Sequence, residues 1–150
     1  MMIEPASHLL PQSGRMAMIS RIVEYGDNWL SAESDIDEQH IFVEEGQLPA
    51  WAAIEIMAQT IAALAGVRAQ ALGEPVKTGF LLGTRKFNAI QASFAVPCIL
   101  RSEIEEAMID ANGFGVYACR LLNQQNMLLA EANINVFCPP NIQDFIGESS

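Results

Sequence analysis

The chain has 150 residues, 18 acidic and 8 basic, for a formal net charge of −10; 51% of it is apolar and only 17% is charged. That length suits one domain over residues 1–150, which buries roughly two thirds of its unfolded surface, and the apolar content excludes a disordered chain. The acidic balance argues against nucleic-acid binding, which needs a basic face.

No membrane span is expected, because the longest apolar stretches, Ile56–Val67 and Ala89–Leu100, run a dozen residues each, against the ~20 a bilayer requires. The N-terminus carries Glu4 in place of a basic cluster and does not read as a signal peptide, and there is no N-x-Ser/Thr sequon. Cys98, Cys119 and Cys138 are odd in number, widely spaced and in no Cys-x-x-Cys pair. Buried free thiols in a reducing cytosol are the simplest account, so the protein is expected to be cytoplasmic and soluble.

In chain order, residues 1–15 form a lead-in, and Met16–Tyr25 reads as an apolar strand ended by the turn Gly26-Asp27-Asn28. Trp29–Ile36 alternates, with Leu30, Ala32 and Ile36 on one side and Ser31, Glu33 and Asp35 on the other. Asp37–Leu48 is acidic and without period, a loop. Pro49–Leu72 is the one strong helix, opened by Pro49, closed by Gly73 and apolar almost all round, the mark of burial on several sides. Strands follow at Thr78–Phe87, Cys98–Ile109 and Phe114–Leu122, with Asp110-Ala111-Asn112-Gly113 as the clearest turn. In the last strand Ala130, Ala132, Ile134 and Val136 face in, Glu131, Asn133 and Asn135 face out, and Pro139-Pro140 ends it. The fold class is therefore α+β, with one long central helix wrapped by about five or six mostly antiparallel strands. Such a sheet leaves edges that a second subunit can pair with.

From Ala50 to Val67 that helix holds three polar side chains, Glu55, Gln59 and Thr60, and Glu55 and Gln59 share a face. A carboxylate on an apolar helix costs several kcal/mol in order of magnitude unless it is paired or its pKa rises. One reading is structural, with Glu55 held by Gln59 or a backbone N–H; the other is an acid or base in a dry pocket. The two histidines are His8, in the lead-in and without an expected role, and His40, at the end of the acidic loop fifteen residues before Glu55. An imidazole titrates near pH ~6.5 and needs little tuning to exchange protons. The first helical N–H groups, expected at Ala50 and Trp51, carry the positive end of the helix dipole and suit a developing oxyanion. Base, acid and oxyanion site within one loop–helix unit fit removal of a proton α to a carbonyl with loss of a β leaving group.

The stretch His40 … Leu48-Pro49-Ala50-Trp51 … Ile54-Glu55-Ile56-Met57-Ala58-Gln59 resembles the active-site segment of hotdog-fold 3-hydroxyacyl-acyl carrier protein dehydratases. Leu10-Pro11, Met16–Ile19 and Arg21-Ile22-Val23 are similar to their N-terminal strand, and Gly79-Phe80-Leu81-Leu82-Gly83-Thr84-Arg85 resembles a divergent bacterial branch linked to aryl-polyene clusters. The resemblance implies an edge-to-edge dimer in which the histidine of one protomer faces the acidic residue of the other: at that interface His40 removes the α-proton of a carrier-bound 3-hydroxyacyl thioester and Glu55 protonates the departing hydroxyl, with Gln59 in support. The Ala50 and Trp51 N–H groups would hold the thioester oxygen, the product would be a trans-2-enoyl thioester, and neither metal nor other cofactor is implied. The sequence departs from the family where His-x-Pro-Gly becomes His40-Ile41-Phe42-Val43, where Pro-Gly becomes Pro49-Ala50, and where Gln12 and Val96-Pro97-Cys98 stand. Lost glycines near the oxyanion site leave two alternatives beside the dehydratase: a hotdog thioesterase with Glu55 activating water, and a catalytically silent hotdog subunit of a heterodimer.

Between Glu74 and Glu103 there is no acidic residue but there are Lys77, Arg85, Lys86 and Arg101, so this segment is +4 and the remainder −14. The four cations are candidates for docking an acidic carrier protein, beside the plain reading of solvated charges. Gly113-Phe114-Gly115 with Ala118 mimics a dinucleotide fingerprint but opens a strand pattern, which excludes it. The acidic residues Asp35, Asp37, Glu38, Glu44 and Glu45 lack calcium-loop spacing.

Overall fold

The computed structural model describes residues 4–5, 18–75 and 79–137. In chain order the elements are β1 (Glu4–Pro5), β2 (Arg21–Tyr25), β3 (Trp29–Ile36), β4 (Gln47–Pro49), α1 (Ala52–Leu72), β5 (Phe80–Ala89), β6 (Ser93–Ala95), β7 (Cys98–Ile109), β8 (Phe114–Leu122) and β9 (Leu128–Phe137). Seven strands form one sheet in the order β1-β2-β3-β7-β8-β9-β5, antiparallel throughout, and β4 pairs β6 in a separate ribbon.

The expected α+β architecture is the one observed. Helix α1 lies across β3, β7, β8 and β9, and its Ile56, Met57 and Leu64 join Leu30, Leu100, Leu121 and Ile134 in the core, each at most 1% exposed. Burying a side chain of this size stabilises the fold by about 1.5–3 kcal/mol. Thr60 Oγ1, fully buried on the same helix, donates to the Ile56 carbonyl at 2.7 Å and shares a 2.6 Å hydrogen bond with Ser102 on β7, so these two buried hydroxyls satisfy each other. At the C-terminus Gly73 adopts φ 68°, and the N–H groups of Gly73 and Glu74 cap the Gln70 and Ala69 carbonyls. By length and composition α1 could cross a bilayer, but 67% of its most apolar window is buried, as suits a core helix.

Trp29–Ile36, Cys98–Ile109 and Phe114–Leu122 match the strands read from the sequence, and Asp110–Gly113 is the turn between the last two. Four expectations are corrected. Of the strand expected over Met16–Tyr25, the described part is paired only from Arg21, as β2, the Met18 N–H being drawn to the side chain of Gln59, while Met16 and Ala17 lie outside the described residues. The segment 37–48 is not all loop: Glu45 (φ 52°) and Gly46 (φ 73°) form a two-residue turn between Glu44 and Gln47, and Gln47 and Leu48 enter β4. The strand after the helix runs Phe80–Ala89, two residues past the expected end at Phe87, because pairing with β9 resumes beyond the Lys86 bulge; Thr78 lies outside the described residues. Helix α1 starts at Ala52 and not at Pro49, which ends β4 opposite Ser93. The five or six strands expected become nine among the described residues, the additional ones being the two- and three-residue β1, β4 and β6.

Candidate active site

The site is assembled where the β4–β6 ribbon delivers the chain into α1. Leu48 and Phe94 face each other across the ribbon, 0% and 4% exposed, and the ladder continues one residue further, with the Ala50 N–H donating to the Ala92 carbonyl at 2.9 Å. That bond changes the expected oxyanion site. Ala50 is already committed to the ribbon, and Ala53 and Ile54 donate to the Ala50 and Trp51 carbonyls. The N–H groups without an acceptor among the described residues are those of Trp51 and Ala52, so the pair of helix-end donors is shifted by one residue.

Upstream, His40 sits on a turn anchored by its own N–H to the Asp37 carbonyl (3.2 Å) and by the Val43 N–H to the His40 carbonyl (3.0 Å). Its ring lies 5.6 Å from that of Phe42, and Phe42 packs edge-on against Trp51 at 5.2 Å, so one phenyl ring bridges the histidine to the helix start. His40 Nδ1 accepts the Phe42 N–H at 3.2 Å. Nε2 is buried and has no partner among the described residues. Burial lowers the imidazole pKa below its ordinary value, and the nearby Asp37 carboxylate offsets part of that effect.

Trp51, Glu55 and Gln59 succeed one another every four residues, forming one stripe on α1. Glu55 is half-buried and its Oε1 accepts the Gln59 Nε2–H at 2.9 Å, the structural pairing considered for it from the sequence. Gln59, 2% exposed, turns its own Oε1 to the Met18 N–H at 2.8 Å. The amide thus orients the carboxylate and ties the helix to the approach of β2.

The proposed docking cations are not one patch. Arg85 and Lys86 are exposed on β5, whereas Arg101 lies on β7, three strand spacings away, about 14 Å, with its guanidinium 3.9 Å from Glu33. Glu33 and Asp35 also hold Arg21, in contacts of 3.6 Å and 2.6 Å. Lys77 lies outside the described residues, as do His8, Gln12 and Cys138. Cys98 and Cys119 are free thiols, and burial pushes the Cys119 thiol up to about 12. Sequence reasoning missed Phe42, Ala52 and Met18; only Phe42 had a legible signal, the aromatic centre of the apolar run Ile41-Phe42-Val43 that follows His40 in an acidic loop.

A long apolar helix cradled by an antiparallel sheet, with a histidine turn packed against its N-terminus, defines a hotdog-fold protein. The chain belongs to the ApeP-like family, whose model, described as ApeP dehydratase, matches residues 4–147. That match bears out the resemblance read from the sequence. Among solved structures, the dehydratase heterocomplex ApeI:P from Xenorhabdus doucetiae superposes with a TM-score of 0.87 at 23% identity, covering 98% of each chain. A hypothetical thioesterase with coenzyme A from Streptococcus pneumoniae gives a TM-score of 0.61 at 14% identity over 78% of this chain and 83% of its own. The PaaI protein of the E. coli phenylacetic acid degradation operon gives 0.60 at 11% identity over 77% and 80%. At these identities the superpositions establish the fold. No curated protein sequence matches the chain significantly.

Proposed function

We propose that this member of a dehydratase family removes water from a carrier-bound 3-hydroxyacyl thioester to give the trans-2-enoyl thioester, in fatty-acid or polyene biosynthesis, with a second hotdog subunit beside it. The observation that carries the reading is the convergence on Phe42: the imidazole of His40 on one side, and on the other the helix end that offers the Trp51 and Ala52 N–H groups above the Glu55 carboxylate. Elimination needs a group to move the α-proton and donors for the charge gathering on the thioester oxygen, and His40, Glu55 and the helix end supply them. The partner is supported by the β5 edge, where Leu81 and Leu82 are about half exposed, and by the heterocomplex with which the chain superposes. Arg85 and Lys86 on that strand are the proposed contacts for an acidic carrier protein, with Arg101 outside the patch they define.

The test follows a 3-hydroxyacyl carrier protein by mass spectrometry with the chain alone and with its hotdog partner. Loss of one water that disappears in Glu55→Gln, with folding intact, supports the dehydratase. Release of free acid promotes the thioesterase, a reading favoured by the thioesterase folds among its structural relatives. Chemistry that is indifferent to substitutions at both His40 and Glu55 identifies a silent subunit.

A further inference from the structure

The face of the sheet turned away from α1 carries a depression whose shape follows from side-chain length. On that face Ser31 of β3 pairs with Glu24 of β2 and Glu103 of β7, and two residues along the strand Trp29 pairs with Glu105. Beyond β7, Glu105 pairs with Ala118 of β8. Ser31 and Ala118 are short and the side chains around them are long, so a cavity of about 360 Å³ opens among them. Ser31 is 4% exposed although it lies opposite the core, and its hydroxyl makes no hydrogen bond among the described residues. Trp29 forms one wall. Its indole rests so closely on Gly26 that a Cβ there would stand 2.2 Å from Nε1, which holds the ring in place. The cations beside the cavity are already spent: Arg120 pairs with Glu103 at 2.5 Å, Arg21 with Asp35 and Glu33, and Arg101 with Glu33. Glu24 and Glu105 take part in no ion pair among the described residues, so two uncompensated carboxylates face the cavity from opposite sides of β3.

We propose that this cavity binds a small organic dication, two ammonium groups joined by a short alkyl chain. The ammoniums meet Glu24 and Glu105, whose strands flank β3 and stand about 10 Å apart, a span that two linked charges cover better than one. The alkyl chain crosses Trp29 between them, where the indole face attracts cations and shields methylenes from water. The Ser31 hydroxyl is the free acceptor on the floor, open to an N–H from either end. Anions are refused by the same carboxylates, and a neutral alcohol gains the hydroxyl but neither charge. The site lies across the sheet from α1, so occupancy does not depend on the groups around Phe42 or on the reaction proposed for them.

Nitrogen-15 NMR of the full chain labelled at tryptophan tests the site, with cadaverine as the probe and the Trp29 indole signal identified by its absence in Trp29→Phe. A saturable shift of the Trp29 signal is expected, with the Trp51 signal unmoved. The double substitution Glu24→Gln with Glu105→Gln, shown to fold by thermal melting, should weaken binding about tenfold by removing both charge contacts. Trp29→Leu, followed by calorimetric titration, should weaken it about two- to fivefold, the worth of a cation over an exposed ring. Pentylamine, with one charge, should bind about fivefold more weakly than cadaverine, and pentanol should leave the Trp29 signal where it is. A shift that does not saturate, that Trp51 shares, or that survives the double substitution overturns the site. Equal binding of pentylamine, which reproduces the end of a lysine side chain, overturns the dication in favour of a lysine brought by a partner protein.

Discussion

At the scale of single residues, the site rests on side chains whose hydrogen bonds leave little slack. Gln59 spends its carbonyl on Met18 and an amide proton on Glu55, both across buried or half-buried ground. Gln59→Leu keeps the apolar volume but strands the Met18 N–H, and an unsatisfied buried donor costs about 1–3 kcal/mol. Urea denaturation should show that loss as a shifted midpoint with an unchanged slope. His40 carries a pH signature. Its folded pKa lies below the ordinary 6.5 because burial disfavours the cation, so between that lowered value and 6.5 the unfolded chain binds more protons. Its contribution to stability is therefore full above about pH 6.5 and declines as pH falls through that window. Stability followed from pH 7.5 to 5.5 should fall more steeply for the wild type than for His40→Gln, which has no imidazole there to charge. Glu55, Gln59 and His40 were all legible in the sequence, because polar side chains on an apolar helix and one histidine before it stand out. Their hydrogen-bond directions were not, because direction depends on where Phe42 and Met18 place their N–H groups.

Among the elements, the junction between β4 and α1 decides where the oxyanion donors fall. Pro49 followed by an alanine-rich run reads as a helix start, and the helix itself was plain from its composition. Its first residue was not, since Leu48 and Phe94 lie 46 positions apart and their pairing extends the ribbon to Ala50. A contact so distant in sequence leaves no local periodic trace, and three-residue strands are too short to alternate. The turn that launches β4 had a local cue, Glu45-Gly46, both in the left-handed region. At Gly46 (φ 73°) an added Cβ meets nothing within 4 Å, so the strain of substitution is conformational alone. Gly46→Ala should lower stability by about 1–2 kcal/mol, the cost of holding an L-residue in that region, measurable by chemical denaturation. The far longer β3, β7 and β8 kept their sequence-read bounds because each alternates over a run of several residues, Ala32–Ile36, Leu100–Glu105 and Phe114–Leu121.

Over the molecule as a whole, the end of α1 away from the site is fastened by a single polar knot. Arg68 donates to the Glu106 carboxylate on β7 at 2.7 Å and to the Asp27 carbonyl in the β2–β3 turn at 2.6 Å, and Tyr117 on β8 donates to the same carboxylate oxygen at 2.9 Å. Helix, turn and two strands thus meet at Glu106, whose side chain is 12% exposed. Burial opposes ionisation of Glu106, but the hydrogen bonds from Arg68 and Tyr117 outweigh it and hold the carboxyl below its ordinary 4.5. The folded chain therefore releases this proton at lower pH than the unfolded chain does. The stability it confers is fully present above about pH 4.5 and is lost as pH falls through the folded value. Glu106→Gln keeps the shape and an acceptor but removes the charge, and with Arg68 35% exposed and partly screened by solvent the expected loss at pH 7 is about 1–2 kcal/mol. The gap between wild type and Glu106→Gln should close as urea titrations are repeated toward pH 3; a gap that stays constant with pH would show that packing and not charge holds the knot. Arg68 lies thirteen residues along α1 from Glu55, about 20 Å at 1.5 Å per residue. Dehydration by Glu106→Gln under conditions where it is folded should accordingly match the wild type, because the knot sets how firmly the helix is seated and leaves the groups around Phe42 where they are.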